Sequence, residues 1–103
     1  MEDNFRELSN IFKVFADETR LKIISELFES EKCVGDISKN LGLSQSLVSH
    51  QLRILKDSKV VDYEKRGQKI FYFLVDEHVR LIYKMGLEHV LEKEGHWWRK
   101  FTK

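Results

Sequence analysis

The sequence lacks several features that define common protein classes. Its 103 residues include no proline, five glycines and one cysteine, Cys33. A single cysteine excludes an internal disulfide framework and fits a reducing compartment. No apolar run is long enough to cross a membrane, and the polar, acidic start does not resemble a signal peptide. We therefore expect a cytoplasmic protein.

The chain also lacks a large excess of either charge. Its 18 basic and 17 acidic side chains give a formal net charge of +1. Any nucleic-acid binding would therefore depend on local clustering of basic residues. The length is sufficient for a single small domain over residues 1–103 and not for two. A core of this size is marginal, and a large subunit interface would support it.

Apolar residues recur at helical spacing through the first half of the chain. The spacing predicts a first helix over about residues 5–16, and Asp17 is suited to cap a second. A short third helix is expected to end at Gly42, and Ser44 is suited to open a fourth over 44–57. The expected buried face of this fourth helix comprises Val48, Leu52 and Leu55. Two helices joined by a short turn containing glycine are typical of a helix-turn-helix.

The pattern changes in the second half of the chain. Val60–Tyr63 and Ile70–Val75 are rich in β-branched and aromatic residues, which predicts a β-hairpin, or wing, over 60–75. Asp76 is suited to cap a last helix, giving a final element over 76–94. The expected fold class is therefore mainly α (α+β), a winged helix-turn-helix in the order ααααββα.

The outer face of the fourth helix carries side chains that can hydrogen-bond to base edges or phosphates in a major groove. These candidate DNA-binding residues are Gln45, Ser46, Ser49, His50 and Arg53. The expected tip of the wing adds Lys65, Arg66 and Lys69, which suit contacts with phosphates. From Arg53 to Lys69, six basic residues outnumber three acidic ones, although the whole chain is nearly neutral. The alternative interpretation is a solvated helix face beside an ordinary hairpin turn.

The last predicted helix carries imidazole and carboxylate side chains at both ends. Asp76 and His78 lie at its start, and His89 and Glu92 lie near its end. These groups are ligands for a borderline divalent cation such as zinc. At about 1.5 Å per residue, His78 and His89 lie roughly 16 Å apart along the helix, so one ion cannot contact both halves. The halves meet only if a second copy of the helix runs antiparallel, as in a two-fold dimer.

An apolar face on the same helix supports this arrangement. It comprises Val79, Ile82, Gly86 and Val90, with Tyr83, Leu87 and Leu91 beside it. Gly86 lies near the midpoint between the two half-sites and would let two helix backbones approach closely. The first helix is expected to pack at the same interface. The sequence therefore predicts a homodimer through the first and last helices.

Several segments together resemble the ArsR/SmtB family of bacterial and archaeal repressors. The segments that carry the resemblance are Ser44–Leu52, Phe15–Arg20, Cys33–Asp36 and Arg66–Gln68. The resemblance covers about residues 5–94. It implies a transcriptional repressor, not an enzyme, that binds an inverted-repeat DNA operator as a homodimer and leaves it when an inducer binds.

The spacing of Asp76, His78, His89 and Glu92 is similar to the dimer-helix metal site of the zinc-sensing branch of this family. The similarity implies that Asp76 and His78 of one subunit and His89 and Glu92 of the other bind Zn(II), or alternatively Co(II) or Ni(II). It also implies that His89 donates to a backbone carbonyl near Lys59. His96 as an extra ligand would favour nickel or cobalt, and a non-metal inducer is a further alternative.

Relatives that sense soft metals carry a Cys-x-Cys pair at the third helix. Here Cys33 occupies the first position of that pair and Gly35 the second, and Asp36 is the nearest additional ligand. We therefore expect no thiolate sensing and interpret Cys33 as a small buried residue. The aromatic tail, with Trp97, Trp98 and Phe101, is interpreted as interface packing.

Overall fold

The computed structural model describes residues 2–92, which form five helices and one two-stranded antiparallel sheet. The elements are α1 (Glu2–Phe15), α2 (Glu18–Glu29), α3 (Val34–Leu41), α4 (Gln45–Asp57), β1 (Val61–Arg66), β2 (Lys69–Leu74) and α5 (Glu77–Glu92). This order confirms the predicted winged helix-turn-helix. Helix α1 begins at Glu2, three residues before the predicted start.

Three helices begin at the side chains that the sequence indicated. Asp17, Ser44 and Asp76 each accept a hydrogen bond from the backbone N–H three residues ahead, at 2.9, 3.1 and 3.0 Å. Each bond satisfies a donor that the first turn of a helix leaves without an intrahelical partner. The starts of α2, α4 and α5 are therefore determined locally.

The turn between α3 and α4 depends on Gly42. Its φ of 68° lies in the left-handed region, which glycine adopts without a steric penalty, and its N–H donates to the carbonyl of Ser38. The Ser38 hydroxyl in turn donates to the carbonyl of Leu43. These bonds hold α4 at a defined angle to α3, as a helix-turn-helix requires.

The core lies between α2, α3, α4 and the base of the hairpin. Its most deeply buried side chains are Ile23, Ile24, Leu27, Ile37, Val48, Leu52, Leu55, Val60 and Val61. The predicted buried face of α4 is confirmed, since three of its residues are in this set. Burying each such side chain contributes roughly 1.5–3 kcal/mol. The outer helices contribute only Val14, Phe15 and Val79.

The hairpin extends further than the sequence predicted. Arg66 pairs with Lys69, so only Gly67 and Gln68 form the turn, and Gly67 has a φ of 62°. The basic residues expected in a loop between two strands therefore lie within the strands. The middle of β2 also forms a single bridge with Lys32, in the connection between α2 and α3.

Within residues 2–92, no helix has both the length and the apolar character needed to cross a bilayer.

Candidate nucleic-acid interface and metal half-sites

Helix α4 exposes the face that the sequence assigned to DNA. Its inner stripe is fully buried in the core, which leaves the opposite side in solvent. The exposed residues of that side include all five predicted contacts, Gln45, Ser46, Ser49, His50 and Arg53. The fold thus brings these five donors and acceptors to one helix surface that can enter a major groove.

Arg20 fixes α4 relative to the two helices before it. Its Nη1 donates to Oε1 of Gln51 at 3.0 Å, and its Nε donates to the carbonyl of Val14 at 2.9 Å. One guanidinium therefore joins the C-terminal end of α1, the first turn of α2 and the middle of α4. No role was predicted for Arg20, although its segment carried part of the family resemblance.

A cleft of about 550 Å³ separates α4 from the hairpin. It is lined by Ser49, Leu52, Arg53, Lys56, Asp57, Tyr63, Ile70 and Tyr72. The rings of Tyr63 and Tyr72 lie 5.5 Å apart, and Nζ of Lys56 lies 5.3 Å from the Tyr63 ring centre. Burial raises the pKa of the Tyr72 hydroxyl above its ordinary value. Cations and phenol rings in one cleft beside α4 suit a DNA strand.

Lys56 and Tyr63 were not predicted as DNA contacts because neither lies on the recognition face of α4 or at the hairpin tip. Lys56 also pairs with Asp62, with 3.5 Å between Nζ and Oδ1. The sequence signal that could have identified Tyr63 is the alternation of side chains between the two faces of β1 and β2. It puts Tyr63, Tyr72 and Ile70 on one sheet face, and that face turns toward α4.

The three basic residues of the hairpin tip differ in their surroundings. Lys65 and Lys69 are exposed and form no ion pair with another residue in the range 2–92. Arg66 instead lies between two carboxylates: Nη2 is 3.0 Å from Oε2 of Glu31, and Nε is 3.1 Å from Oε1 of Glu64. The hydrogen bond from Arg66 to Glu64 holds the pKa of the Glu64 carboxyl below its ordinary value.

The first of the two predicted metal half-sites lies at the start of α5. Oδ1 of Asp76 caps the helix, and Oδ2 lies 3.7 Å from Nδ1 of His78, whose side chain is 90 % exposed. About three helical turns separate His78 from His89, which puts the two imidazoles on one flank of α5. His89 and Glu92 lie on the exposed surface near the other end.

One chain does not complete this site. Within residues 2–92, no three His, Cys, Asp or Glu side chains cluster closely enough to hold a metal ion. Two nitrogen and two oxygen ligands suit a tetrahedral zinc site in number and chemistry. The donor set therefore fits zinc only if two chains contribute.

An apolar groove runs between α1, α2 and α5. Its volume is about 570 Å³, and its apolar lining comprises Phe12, Phe15, Leu21, Ile82, Tyr83, Gly86, Leu87 and Val90. Large side chains are exposed along its walls and beyond, with 53 % of Phe12 and 62 % of Val90 in solvent. A contiguous apolar surface of this kind is typical of an interaction site.

Cys33 is half-buried and not fully buried as predicted, because it precedes the first turn of α3 at the surface. Its Sγ donates to Oδ2 of Asp36 at 3.2 Å. The predictions for His96, Trp97, Trp98 and Phe101 lie outside the described residues.

Comparison with known proteins adds independent information. The model of the family described as "Bacterial regulatory protein, arsR family" matches residues 17–63. The chain is 36 % identical to a transcriptional repressor SmtB homolog of Synechocystis, over 89 % of this chain and 70 % of that protein. It is 35 % identical to a cadmium resistance transcriptional regulatory protein CadC homolog of Staphylococcus aureus, over 88 % and 76 %.

Among solved structures, the fold matches a homodimeric winged helix-turn-helix DNA-binding domain of Mycobacterium bovis. That domain, Mb0332, is described as a possible ArsR-family transcriptional regulator. The TM-score is 0.87 at 22 % identity, covering 92 % of this chain and 88 % of that domain. At this identity the match supports the fold.

Proposed function

Because this chain belongs to the ArsR family of DNA-binding bacterial regulators, which are not enzymes, we propose that it represses transcription as a homodimer that Zn(II) releases from an inverted-repeat operator. The observation that carries the proposal is the surface of α5. That surface carries imidazole and carboxylate side chains, the ligands predicted for zinc, at opposite ends of an exposed apolar face.

The DNA-binding part of the proposal follows from α4 and the hairpin. The outer face of α4 offers hydrogen-bonding side chains for base edges, while Arg53 and Lys56 bring positive charge into the adjacent cleft. Lys65 extends this charge along the hairpin. In this arrangement α4 enters the major groove, and the cleft takes the flanking phosphates.

The dimer follows from the uncovered apolar face of α1 and α5. The side chains of Phe12, Val90 and Leu91 are each more than half exposed in the single chain. A second copy related by a two-fold axis would cover the same face on both subunits. Gly86 lies in this groove, and a Cβ added there would meet no atom within 4 Å in the single chain. That space allows a partner helix to approach closely.

The metal site is assembled from both subunits in this proposal. Asp76 and His78 of one chain, with His89 and Glu92 of the partner subunit, would hold the ion. When bound, the ion supplies a bond between the two subunits and so biases their relative orientation. The capping bond from the Val79 amide to Asp76 orients the carboxylate, with its second oxygen toward His78.

Contacts between the helices offer a route from α5 to the DNA-binding surface. Arg80 of α5 donates to the carbonyl of Phe28 at 2.9 Å, near the end of α2, and Phe28 packs on Tyr83 with 5.2 Å between ring centres. At the other end of α2, Arg20 holds Gln51 of α4. A change in α5 can therefore displace α4 through α2.

In this proposal, zinc binding controls the distance between the two α4 helices of the dimer. It has to match successive major grooves, which are about 34 Å apart. A zinc-bound dimer with a different spacing loses operator affinity. By linkage, the operator weakens zinc binding by the same factor.

The proposal is tested by replacing one ligand. We expect His89→Ala to retain operator binding in a mobility-shift titration on the DNA upstream of its own gene, and to be insensitive to zinc. Glu88→Gln, one residue away and outside the ligand set, is the matched control and should respond as the wild type does. Parallel titrations with cobalt, nickel and cadmium identify the preferred ion.

Two results would contradict the zinc assignment. One is a His89→Ala dimer that still leaves DNA at the wild-type zinc concentration. The other is an apo-dimer that takes up no zinc in equilibrium dialysis, which would leave a repressor with another inducer.

A further inference from the structure

Arg66 uses most of its hydrogen-bonding capacity inside the protein. A guanidinium has five N–H donors, and here Nε, Nη1 and Nη2 all donate to Glu31 or Glu64. The same group lies 5.0 Å from the ring centre of Phe71. One cation thus sits between two anions and against an aromatic ring, an arrangement that opposes the approach of a phosphate.

The pairing of the strands separates Arg66 from the cleft beside α4. Side chains alternate between the two faces of a strand, and directly paired residues share a face. Arg66 therefore shares a face with Glu64 and Phe71. Lys65 lies on the other face, with Tyr63 and Tyr72, which line the cleft.

Glu31 belongs to a segment that supports the hairpin. It lies in the connection between α2 and α3, and its neighbour Lys32 exchanges two backbone hydrogen bonds with Tyr72, at 3.1 and 2.8 Å. The hairpin is therefore held at its middle by the backbone and near its tip by the pair Arg66–Glu31. Without the pair Arg66–Glu31, the two-residue turn would extend beyond Tyr72, where the backbone hydrogen bonds to Lys32 hold the hairpin.

We propose that Arg66 is a positioning residue that ties the wing to Glu31, so that the opposite face of the wing, with Lys65, stays against the DNA strand in the cleft. The inference rests on the proposed DNA binding and assigns Arg66 a role other than the phosphate contact expected from the sequence. Glu31, which the sequence analysis did not single out, becomes its partner.

A double-mutant cycle on DNA affinity tests the tie. The probe is a duplex that the wild-type chain selects from a random-sequence pool. We expect Arg66→Ala to weaken binding about two- to fivefold, the range for an exposed ion pair. In the Glu31→Gln background, the same substitution should have almost no further effect. In the Glu29→Gln background, which removes equal charge from the last residue of α2, its full effect should remain.

The salt dependence of DNA binding distinguishes a positioning role of Arg66 from a direct phosphate contact. Each lost phosphate contact lowers the magnitude of the negative slope of log affinity against log salt by about 0.9. We expect Lys65→Ala to lower this magnitude by about that amount and Arg66→Ala to leave it unchanged. Arg66→Lys keeps the charge but lacks the planar fork that donates to both oxygens of Glu31, so it should resemble Arg66→Ala.

Three results would overturn the proposal. They are a salt slope of lowered magnitude in Arg66→Ala, an equal or larger effect of this substitution in the Glu31→Gln background, and wild-type affinity in Arg66→Ala.

Amide hydrogen exchange tests the tie without DNA. Exchange at Gly67 and Lys69 should be faster in Arg66→Ala and Glu31→Gln, and unchanged in Lys65→Ala. If the wild-type chain selects no duplex, the proposed function fails while this measurement still decides whether Arg66 holds the wing. Unchanged exchange in both variants would refute the tie by itself.

Discussion

Three arginines connect elements that lie far apart in the sequence. Arg20 joins α1 to α4, Arg66 joins the hairpin to the connection after α2, and Arg80 joins α5 to the end of α2. In each case a guanidinium donates to carbonyl or carboxylate oxygens that packing alone would leave without a donor. Arginine therefore has a structural role in this fold, beside the DNA contact predicted for Arg53.

Lys59 is the residue with a strained backbone at the end of α4. Its φ of 62° lies in the left-handed region, and it is the sole non-glycine residue with a positive φ in the described part of the chain. This conformation costs a side chain with a Cβ roughly 1–2 kcal/mol. The cost is accepted because the chain has to turn sharply from α4 into the buried Val60.

Replacing Lys59 by glycine should therefore stabilise the protein. Glycine removes the steric penalty but loses more entropy on folding, so we expect a net gain of about 0.5–1 kcal/mol in the free energy of unfolding. Urea denaturation monitored by circular dichroism measures this. Lys59→Ala, which retains a Cβ, is the control and should show no gain. Equal stabilities for the two variants would show that the backbone there is not strained.

At the scale of elements, the position of α4 depends on one polar contact as well as on its apolar stripe. The stripe determines which face is buried, but a row of aliphatic side chains tolerates small shifts along the helix axis. The bond from Arg20 to Gln51 is directional and spans 31 positions in the sequence. It fixes the helix against the end of α1, which belongs to the proposed dimer interface.

Substitutions at these two positions should be coupled. We expect Gln51→Ala to lower the free energy of unfolding by about 0.5–1.5 kcal/mol, and Arg20→Ala to lower it more because a carbonyl of α1 also loses its donor. The double variant should be less destabilised than the sum of the single variants, as measured by urea denaturation. Strictly additive effects would show that the hydrogen bond does not contribute.

At the scale of the whole molecule, the distribution of apolar surface divides the chain into two parts. The core uses α2, α3, α4 and the base of the hairpin, whereas α1 and α5 leave large side chains in solvent. A chain of this length buries a limited apolar area, so a second copy on this face would add substantially to its stability.

A charge on the apolar face of α5 should therefore disrupt the dimer. We expect Val90→Asp to weaken dimerisation by at least about tenfold, because an unpaired carboxylate would be buried at the interface. Sedimentation equilibrium measures the change. Lys84→Asp introduces the same side chain on the opposite side of α5 and should leave the dimer intact. A wild-type monomer, or equal effects of the two substitutions, would contradict the proposed interface.

Much of the fold could be predicted from the sequence because its signals are local. The helix caps at Asp17, Ser44 and Asp76 and the turn at Gly42 involve residues only a few positions apart, and the periodicity of α4 identified its buried face. The extension of the hairpin to a two-residue turn was missed, since charged residues at a wing tip resemble a loop. The exposure of Cys33 was missed because a lone cysteine does not indicate its burial.

The sequence by itself determined the order of elements, the exposed face of α4 and the side-chain types at the two ends of α5, since each depends on neighbours along one helix or strand. Only the tertiary structure decided how the basic residues are used. Arg20, Arg66 and Arg80 find partners 31, 35 and 52 positions away. Packing of the core brings those partners within reach, and a hydrogen bond forms only where donor and acceptor then meet at the right distance and angle.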